Sequence, residues 1–426
     1  MIKNLIFLKD RSLFYNRLGR ALISGFSIIA LISVQFVTVF LLGIGIESDL
    51  YYSVIVFPQF ISLVLTVLIQ NTCVPFLKES KDIKSAEQII FYFSVCLGII
   101  LTICMLSGVY ILQIAIESFE LGGEGDFIFL LYISSFLIIL NAINSGLQAI
   151  FYARDKFSPI EITSFFSSSV ALIALIIIGK NLSVVIAIYI LIIRTIIYAI
   201  PLLSPSLLLF RFTWQDFKKI LIRIGFRYPA IVGFTKSDPI IDRLLLSGAG
   251  DGLMTLHALA YQLVMVSSSL IAKVFGNESL SRFSDTNYSE DFKNRYFREV
   301  SLSVFVLASM VVIVFVILYF TALPWLSYIL DLKVSNFQTI FYLMLLLSGL
   351  FFGGLLRQIV ENIYHANSNT SLFVKITSIN FIIYLAVKVI GFSIMGLYWL
   401  CISCSLYVIL DLIILKINAK KYKKKS

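Results

Sequence analysis

Histidine occurs only twice in these 426 residues, at His257 and His365, which leaves too few imidazoles for a zinc centre. Cysteine is almost as scarce. The five present (Cys73, Cys96, Cys104, Cys401 and Cys404) all fall inside apolar runs. Cys401 and Cys404 share a helix face, but no histidine or carboxylate pattern accompanies them. They read as small apolar core residues, and no metal is expected. No glycine-rich loop stands before a Lys-Ser or Lys-Thr pair, so ATP hydrolysis is not expected, nor is any cofactor. Charged residues make up only 14% of the chain, and no polar connection is long enough to fold as a domain. Soluble enzyme chemistry is thereby excluded, and no catalytic residue is expected. The first seventeen residues are too charged and too weakly apolar for a cleaved signal peptide, so the chain is expected to be retained whole.

What fills the chain instead is hydrocarbon. Hydrophobic residues reach 59% and mean hydropathy +0.96, far outside the range of soluble domains. A helix needs about 20 mainly apolar residues to cross the roughly 30 Å of bilayer hydrocarbon. Twelve such spans are expected: 18–42, 51–73, 89–113, 127–151, 160–178, 183–203, 228–249, 253–275, 299–320, 337–360, 371–392 and 394–415. Two tracts echo each other about two hundred residues apart, FLLGIGIESDLYYSVIVFPQF (Phe40–Phe60) and RLLLSGAGDGLMTLHALAYQL (Arg243–Leu263). Each ends an apolar run, passes a small-residue turn with acidic residues, and opens another apolar run. A second echo is Ile-Thr-Ser at Ile162–Ser164 and at Ile376–Ser378, each just after a polar loop headed by a tyrosine, Tyr152 or Tyr364. A repeat this long is no solenoid unit. The expected fold is all-α and polytopic, with twelve transmembrane helices in two six-helix lobes, 1–215 and 216–426, around a central cleft. That is the architecture of a transporter.

Lys and Arg in the connections set the orientation. With the N-terminus inside, the inner segments hold 24 of them, from Lys3 to Lys425, and the outer ones hold two, Lys180 and Lys333. The longest outer connection of the first lobe is acidic only, with Glu117, Glu120, Glu124 and Asp126. Both termini are therefore expected in the cytoplasm. The net charge of +10 then serves topology and contact with anionic membrane lipids, and no nucleic-acid partner is expected. The inner segments Phe76–Gln88, Leu207–Arg227 and Phe283–Phe297 mix aromatic or aliphatic residues with charges. They are expected to lie as short amphipathic helices among the lipid headgroups.

Charges inside spans cost about 2.5–3.5 kcal/mol each on insertion scales, so they mark function or pairing. The densest cluster is TKSDPIIDRLLLSG in span seven, with Lys236, Asp238, Asp242 and Arg243. Asp238 and Asp242 are four apart and share a face. Pro239 removes a backbone donor and disfavours helix at Asp238. The carboxylates suit a cation and are the candidate ion-coupling residues. Lys236 and Arg243 suit an anion such as a pyrophosphate. The competing reading is two internal ion pairs that neutralise each other. Arg194 (span six), Arg357 (span ten), Lys375 and Lys388 (span eleven) lie deeper, whereas Arg20 and Lys273 stand near inner ends, where long side chains snorkel. A cleft for a lipid pyrophosphate needs several inward cations. Arg20, Arg194, Lys236, Arg243, Arg357 and Lys375 form the candidate substrate-binding set, with snorkelling or pairing as the competitor at each. Asp411 is expected to meet Lys416 or water. The pair Gly349/Gly353 and the serine runs Ser167–Ser169 and Ser267–Ser269 allow close helix approach.

The tract LGIGIESDLYYSVIVFPQFISLVLTVLIQNTCVPFL resembles the span-one-to-two signature of the MviN/MurJ lipid II flippases, with Asp49, Pro58 and Pro75 in the signature places. The tract from Ile241 to Asp285 is similar to their span-seven-to-eight signature, including Asp242–Arg243. The resemblance covers both lobes. It implies the superfamily that also holds polysaccharide flippases and MATE-type drug exporters, a bacterial cytoplasmic membrane location, and an ion-coupling role for Asp49. Lipid II flippases carry Arg-Asp in the first span where this chain has Val34–Gln35, and Arg in the second near Ser62. They carry Asp-Arg in the eighth where it has Tyr261–Gln262. They also have fourteen spans. Those departures turn the implied cargo toward an undecaprenyl-pyrophosphate-linked oligosaccharide, as in O-antigen and capsule flippases. Coupling to H+ or Na+ is implied, as are glycan polymerase or ligase proteins as partners. Lipid II transport and cation-coupled export of small molecules are the alternatives.

Overall fold

A computed structural model describes residues 11–80, 82–118, 125–154, 158–204, 237–247, 249–284, 290–330, 334–366 and 370–423, together with isolated positions between 156 and 233. Among the described residues thirteen α-helices follow one another: α1 Arg11–Leu42, α2 Ile46–Glu79, α3 Ile83–Ser118, α4 Gly125–Ala153, α5 Ser158–Ile178, α6 Val184–Ala199, α7 Asp238–Leu246, α8 Leu253–Ser284, α9 Glu290–Leu330, α10 Val334–Leu346, α11 Ser348–Ala366, α12 Thr370–Met395 and α13 Leu397–Lys423. Among the described residues there is no strand. In lipid a backbone must satisfy its own polar groups, and continuous apolar runs leave the helix as the local solution. The protein is an all-α, multi-pass membrane protein.

Among the described residues ten segments are long and apolar enough to cross a membrane, and they coincide with expected spans one to six and nine to twelve. Span ten holds both α10 and α11, separated by a turn at Leu347. Of the expected seventh span, 237–247, which holds α7, lies among the described residues together with 233 and 249. The eighth falls on α8, whose apolar stretch is described as Leu253–Ser268. The amphipathic segments differ from expectation. Phe76–Gln88 holds the end of α2 and the start of α3, and Phe283–Phe297 the end of α8 and the start of α9. Nothing in these sequences stops the helices at the edge of the apolar run, so they extend into their polar flanks. Leu207–Arg227 lies mostly outside the described residues.

The chain divides into two compact units, one of residues 29–244 and the other of 245–426 with 1–28, the divisions passing within α1 and α7. The lobes expected from the repeat divide at 215/216.

Within 29–244, α3 and α4 meet at small residues. A Cβ on Gly146 would strike the Ser94 side chain, and one on Gly98 would strike Ala142 and the backbone of Ile139. The numbers run in opposite senses, so α3 and α4 are antiparallel. Between α2 and α4 the contact is polar. The Thr66 and Ser145 hydroxyls lie 2.7 Å apart, Asn141 donates to Ser62 at 3.0 Å, and Gln70 donates to Gln148 at 2.9 Å. These pairs rise together along both helices, so α2 and α4 are parallel. Gln148 continues to the Tyr198 hydroxyl on α6 at 2.9 Å, and Asn144 to the Thr195 carbonyl at 3.2 Å. Interhelical hydrogen bonds of this kind hold helices together where lipid removes the hydrophobic drive. Arg154, just past α4, forks onto the buried Glu87 carboxylate of α3, a bidentate pair with fixed geometry.

Within the other unit, Gly349 and Gly353 of α11 lie against Ser405 and Val408 of α13, as the glycine spacing led one to expect. The α12–α13 hairpin turns at Gly396, whose φ of 61° suits glycine. Across that hairpin Trp399 Nε1 donates to the Val387 carbonyl at 3.1 Å.

Candidate functional site

The signature tract acquires its geometry from the turn before α2. Gly43 has φ 78°, and the Ser48 hydroxyl accepts from the Gly45 N–H at 3.1 Å while donating to the Gly45 carbonyl at 3.0 Å. This fixes where the helix starts and hence the rotation of its first turns. Asp49 is half-buried there. Tyr51 and Tyr52 follow, 5% and 1% exposed, with their rings edge to face at 5.4 Å.

The Arg243 guanidinium of α7 lies over the Tyr52 ring, 5.1 Å from its centroid. Arg194 of α6 has Tyr51 and Tyr198 as electrostatic neighbours. Its Nε donates to the Ser168 hydroxyl of α5 at 3.1 Å. Among the described residues no carboxylate lies within ion-pairing distance of Arg194. The site therefore draws on α2, α5, α6 and α7 of a single compact unit.

At the start of α7 the structure describes Ser237 onward. Ser237 is the last non-helical residue, and its carbonyl accepts from Ile240 at 2.9 Å and Ile241 at 3.2 Å. Asp238 and Pro239 occupy the first two helical positions. There proline is tolerated, because its missing donor has no partner to lose, and a carboxylate complements the helix dipole. Asp242, one turn on, is buried, and Asp238 is half-buried. Lys236 and the Arg20 side chain lie outside the described residues, as does the Lys273 side chain.

In the other unit, Arg357 of α11 meets Asp411 of α13 at 2.6 Å. Asn380 of α12 donates to the second Asp411 oxygen at 2.7 Å, and Phe373 lies 5.8 Å beneath the guanidinium. Asp411 thus has Arg357 and Asn380 as partners rather than Lys416 or water, because its helix turns it into the packed face, where it is fully buried. Lys416 instead lies 5.9 Å over Phe297. Lys375 is exposed. Lys388 is fully buried, 3.6 Å from Cys404 Sγ and 5.1 Å over the Tyr384 ring, while the Tyr384 hydroxyl lies 3.0 Å from the same sulfur. Cys404, expected to be a bland core residue, is a polar partner.

The structure thus places Arg243 over Tyr52, gives Arg194 the Ser168 hydroxyl, and gives Arg357 a carboxylate of its own. The sequence reading missed the two tyrosines as site residues and Ser168 as a partner. The Asp-Leu-Tyr-Tyr run of the signature was the available signal for the first.

No family model matches the chain, and no curated protein matches it. Solved structures do. One is the lipid II flippase MurJ in an inward closed conformation, with TM-score 0.71 and 17% identity over 94% of this chain and 87% of that one. Another is a MOP-superfamily transporter from Pyrococcus furiosus, described as having a binding pocket of reversed polarity, with TM-score 0.68 and 15% identity over 95% and 94%. A MATE transporter of Vibrio cholerae gives TM-score 0.67 and 13% identity over 98% of both chains. The class follows from the helices and these likenesses together: the chain has the fold of the MOP-superfamily transporters.

Proposed function

We propose that the protein is a flippase that carries an undecaprenyl-pyrophosphate-linked oligosaccharide across the bacterial cytoplasmic membrane by alternating access, with both termini in the cytoplasm. The observation that carries this reading is Arg194, a guanidinium within a membrane-spanning helix whose hydrogen bond goes to a hydroxyl. A charge so placed is expensive unless it meets a counter-ion, and a bound pyrophosphate supplies one. Arg243 provides the second cation. Its planar fork suits phosphate oxygens better than an ammonium does. Arg20, Lys236, Lys375 and Arg357 complete the proposed cationic set, Arg357 after exchange with Asp411. Asp49, Asp238 and Asp242 are the proposed carriers of a coupling proton or sodium ion. Membrane potential offers about 2.3 kcal/mol per charge per 100 mV to such a cycle.

Deleting the gene should make undecaprenyl-linked glycan accumulate on the inner leaflet and remove the glycan from the cell surface. An unaltered surface glycan in that strain would overturn the reading. A second reading, lipid II transport, draws support from the likeness to MurJ. It predicts that expression of this chain rescues cells depleted of their lipid II flippase. MATE-type export would show instead as drug sensitivity on deletion with surface glycan intact.

A further inference from the structure

We infer that α2 has two registers against α4, one helical turn apart, and slides between them as the protein opens to one side of the membrane and then the other. The inference rests on the alternating-access reading above and not on the identity of its cargo.

The contact between these two helices repeats at the spacing of a helical turn. Ser62, Thr66 and Gln70 stand four apart on α2 and meet Asn141, Ser145 and Gln148 of α4 at 3.0, 2.7 and 2.9 Å. Groups of these kinds are interchangeable as partners. A hydroxyl both donates and accepts, and a side-chain amide carries donors and an acceptor together. Three of the hydroxyls also donate one turn back along their own helix. Ser62 donates to the Pro58 carbonyl at 2.6 Å, Thr66 to that of Ser62 at 2.8 Å, and Ser145 to that of Asn141 at 2.7 Å. Each is satisfied by its own helix and loses little while its partner across the contact changes.

Moving α2 by one turn, about 5.4 Å, toward the C-terminal end of α4 gives every group a new partner. Ser62 comes to Ser145, Thr66 to Gln148, and Gln70 to Tyr152 in the last turn of α4. Asn141 comes to the level of Pro58, whose missing N–H leaves the Val54 carbonyl without its intrahelical donor. The opposite move sets the apolar Val74 against Gln148, so the second register lies on one side only. The surroundings favour α2 as the element that shifts. It packs chiefly on α4 and only lightly on α3 and α6. By contrast α3 and α4 are interlocked, Gly146 against Ser94 and Gly98 against Ala142. Packed helices exchange between discrete arrangements, one turn apart, rather than deforming continuously.

The test uses the full chain with its five cysteines replaced, reconstituted in vesicles, and joins pairs of new cysteines with a short membrane-permeant thiosulfonate cross-linker. Ser62→Cys with Asn141→Cys reports the register of this structure, and Ser62→Cys with Ser145→Cys reports the second. Thr66→Cys with Asn141→Cys is the control, offset by one turn in this structure just as the second pair is. The first two pairs should link, and the control at least about tenfold more slowly, because the slide carries its members two turns, about 11 Å, apart. Linking either of the first two pairs should stop transport of lipid-linked glycan extracted from the strain lacking the gene, and reduction should restore it. If Asn141→Cys does not reconstitute, Thr66→Cys with Ser145→Cys and Thr66→Cys with Gln148→Cys report the same two registers, with Gln70→Cys and Ser145→Cys as the control. Linking of the first pair alone would show a single register and overturn the inference. Equal rates in the second pair and the control would also overturn it, since side-chain flexibility would then account for both. Undiminished transport with the first pair fully linked would remove the slide from the cycle and the inference with it. The linking rates are read without cargo, so failure of the flippase reading would leave them, and the two registers, standing.

Discussion

Arg357 and Arg194 both sit within apolar helices, and their neighbours predict opposite responses to the same substitution. Arg357→Ala strands the fully buried Asp411 carboxylate. Breaking a buried pair by removing one partner costs about 3–5 kcal/mol. Purified protein should therefore unfold at a markedly lower temperature. Arg357→Leu with Asp411→Leu should recover most of that loss, because the pair is removed whole. Among the described residues, Arg194→Ala strands only the Ser168 hydroxyl. Its abundance and unfolding temperature should stay near wild type while glycan export fails. A collapse of protein level in Arg194→Ala would assign it a structural role instead. None of these partnerships was legible in the chain. Arg194 and Arg357 look alike there, each a lone cation in an apolar run, and only helix rotation decides which of them meets a carboxylate.

Helix pairs in the unit of residues 29–244 use two kinds of contact, and each has its own sensitivity. The α3–α4 contact is steric. Gly146→Ala drives a Cβ into Ser94, and overpacking of this kind costs about 1–3 kcal/mol. Gly146→Ala with Ser94→Gly should restore thermal stability, since the two positions share one volume. The α2–α4 contact is polar and distributed. Thr66→Val removes one rung of the ladder and should cost only about 0.6 kcal/mol, the typical worth of an interhelical hydrogen bond in a membrane. Gln148→Leu should cost more, because Gln148 both accepts from Gln70 and donates to Tyr198. Unfolding midpoints of the two variants in the same detergent check the ranking. The glycine spacing in α11 was readable beforehand. The ladder was not, since Ser62, Thr66 and Gln70 acquire meaning only opposite Asn141, Ser145 and Gln148.

At the scale of the whole molecule, the proposed topology places the α1–α2 turn outside and the α4–α5 connection inside. Glu47 and Lys156 are exposed on those two segments. In a background with the five cysteines replaced, Glu47→Cys should react with a membrane-impermeant maleimide in intact spheroplasts. Lys156→Cys should react only after permeabilisation. The reverse pattern would invert the orientation and with it the proposed direction of transport. Coupling is tested in reconstituted vesicles. Export should stop when both the membrane potential and the proton and sodium gradients are collapsed, and undiminished export would exclude Asp49, Asp238 and Asp242 as coupling groups.

Hydropathy alone determined that this is a multi-pass helical membrane protein, because long apolar stretches in lipid must close their own backbone hydrogen bonds and the helix does so locally. It also located ten of the twelve expected spans within a few residues, and the glycine spacing of α11 marked a close helix contact before any partner was known. Tertiary structure decided what the polar residues do. It placed Asp411 against Arg357 rather than Lys416, made Cys404 a partner of Lys388, and brought Tyr52 of the signature under Arg243. These outcomes depend on the rotation of each helix and on which helix lies alongside. An apolar surface that must face either lipid or another helix specifies burial, but it carries little information about which of several apolar neighbours it will meet.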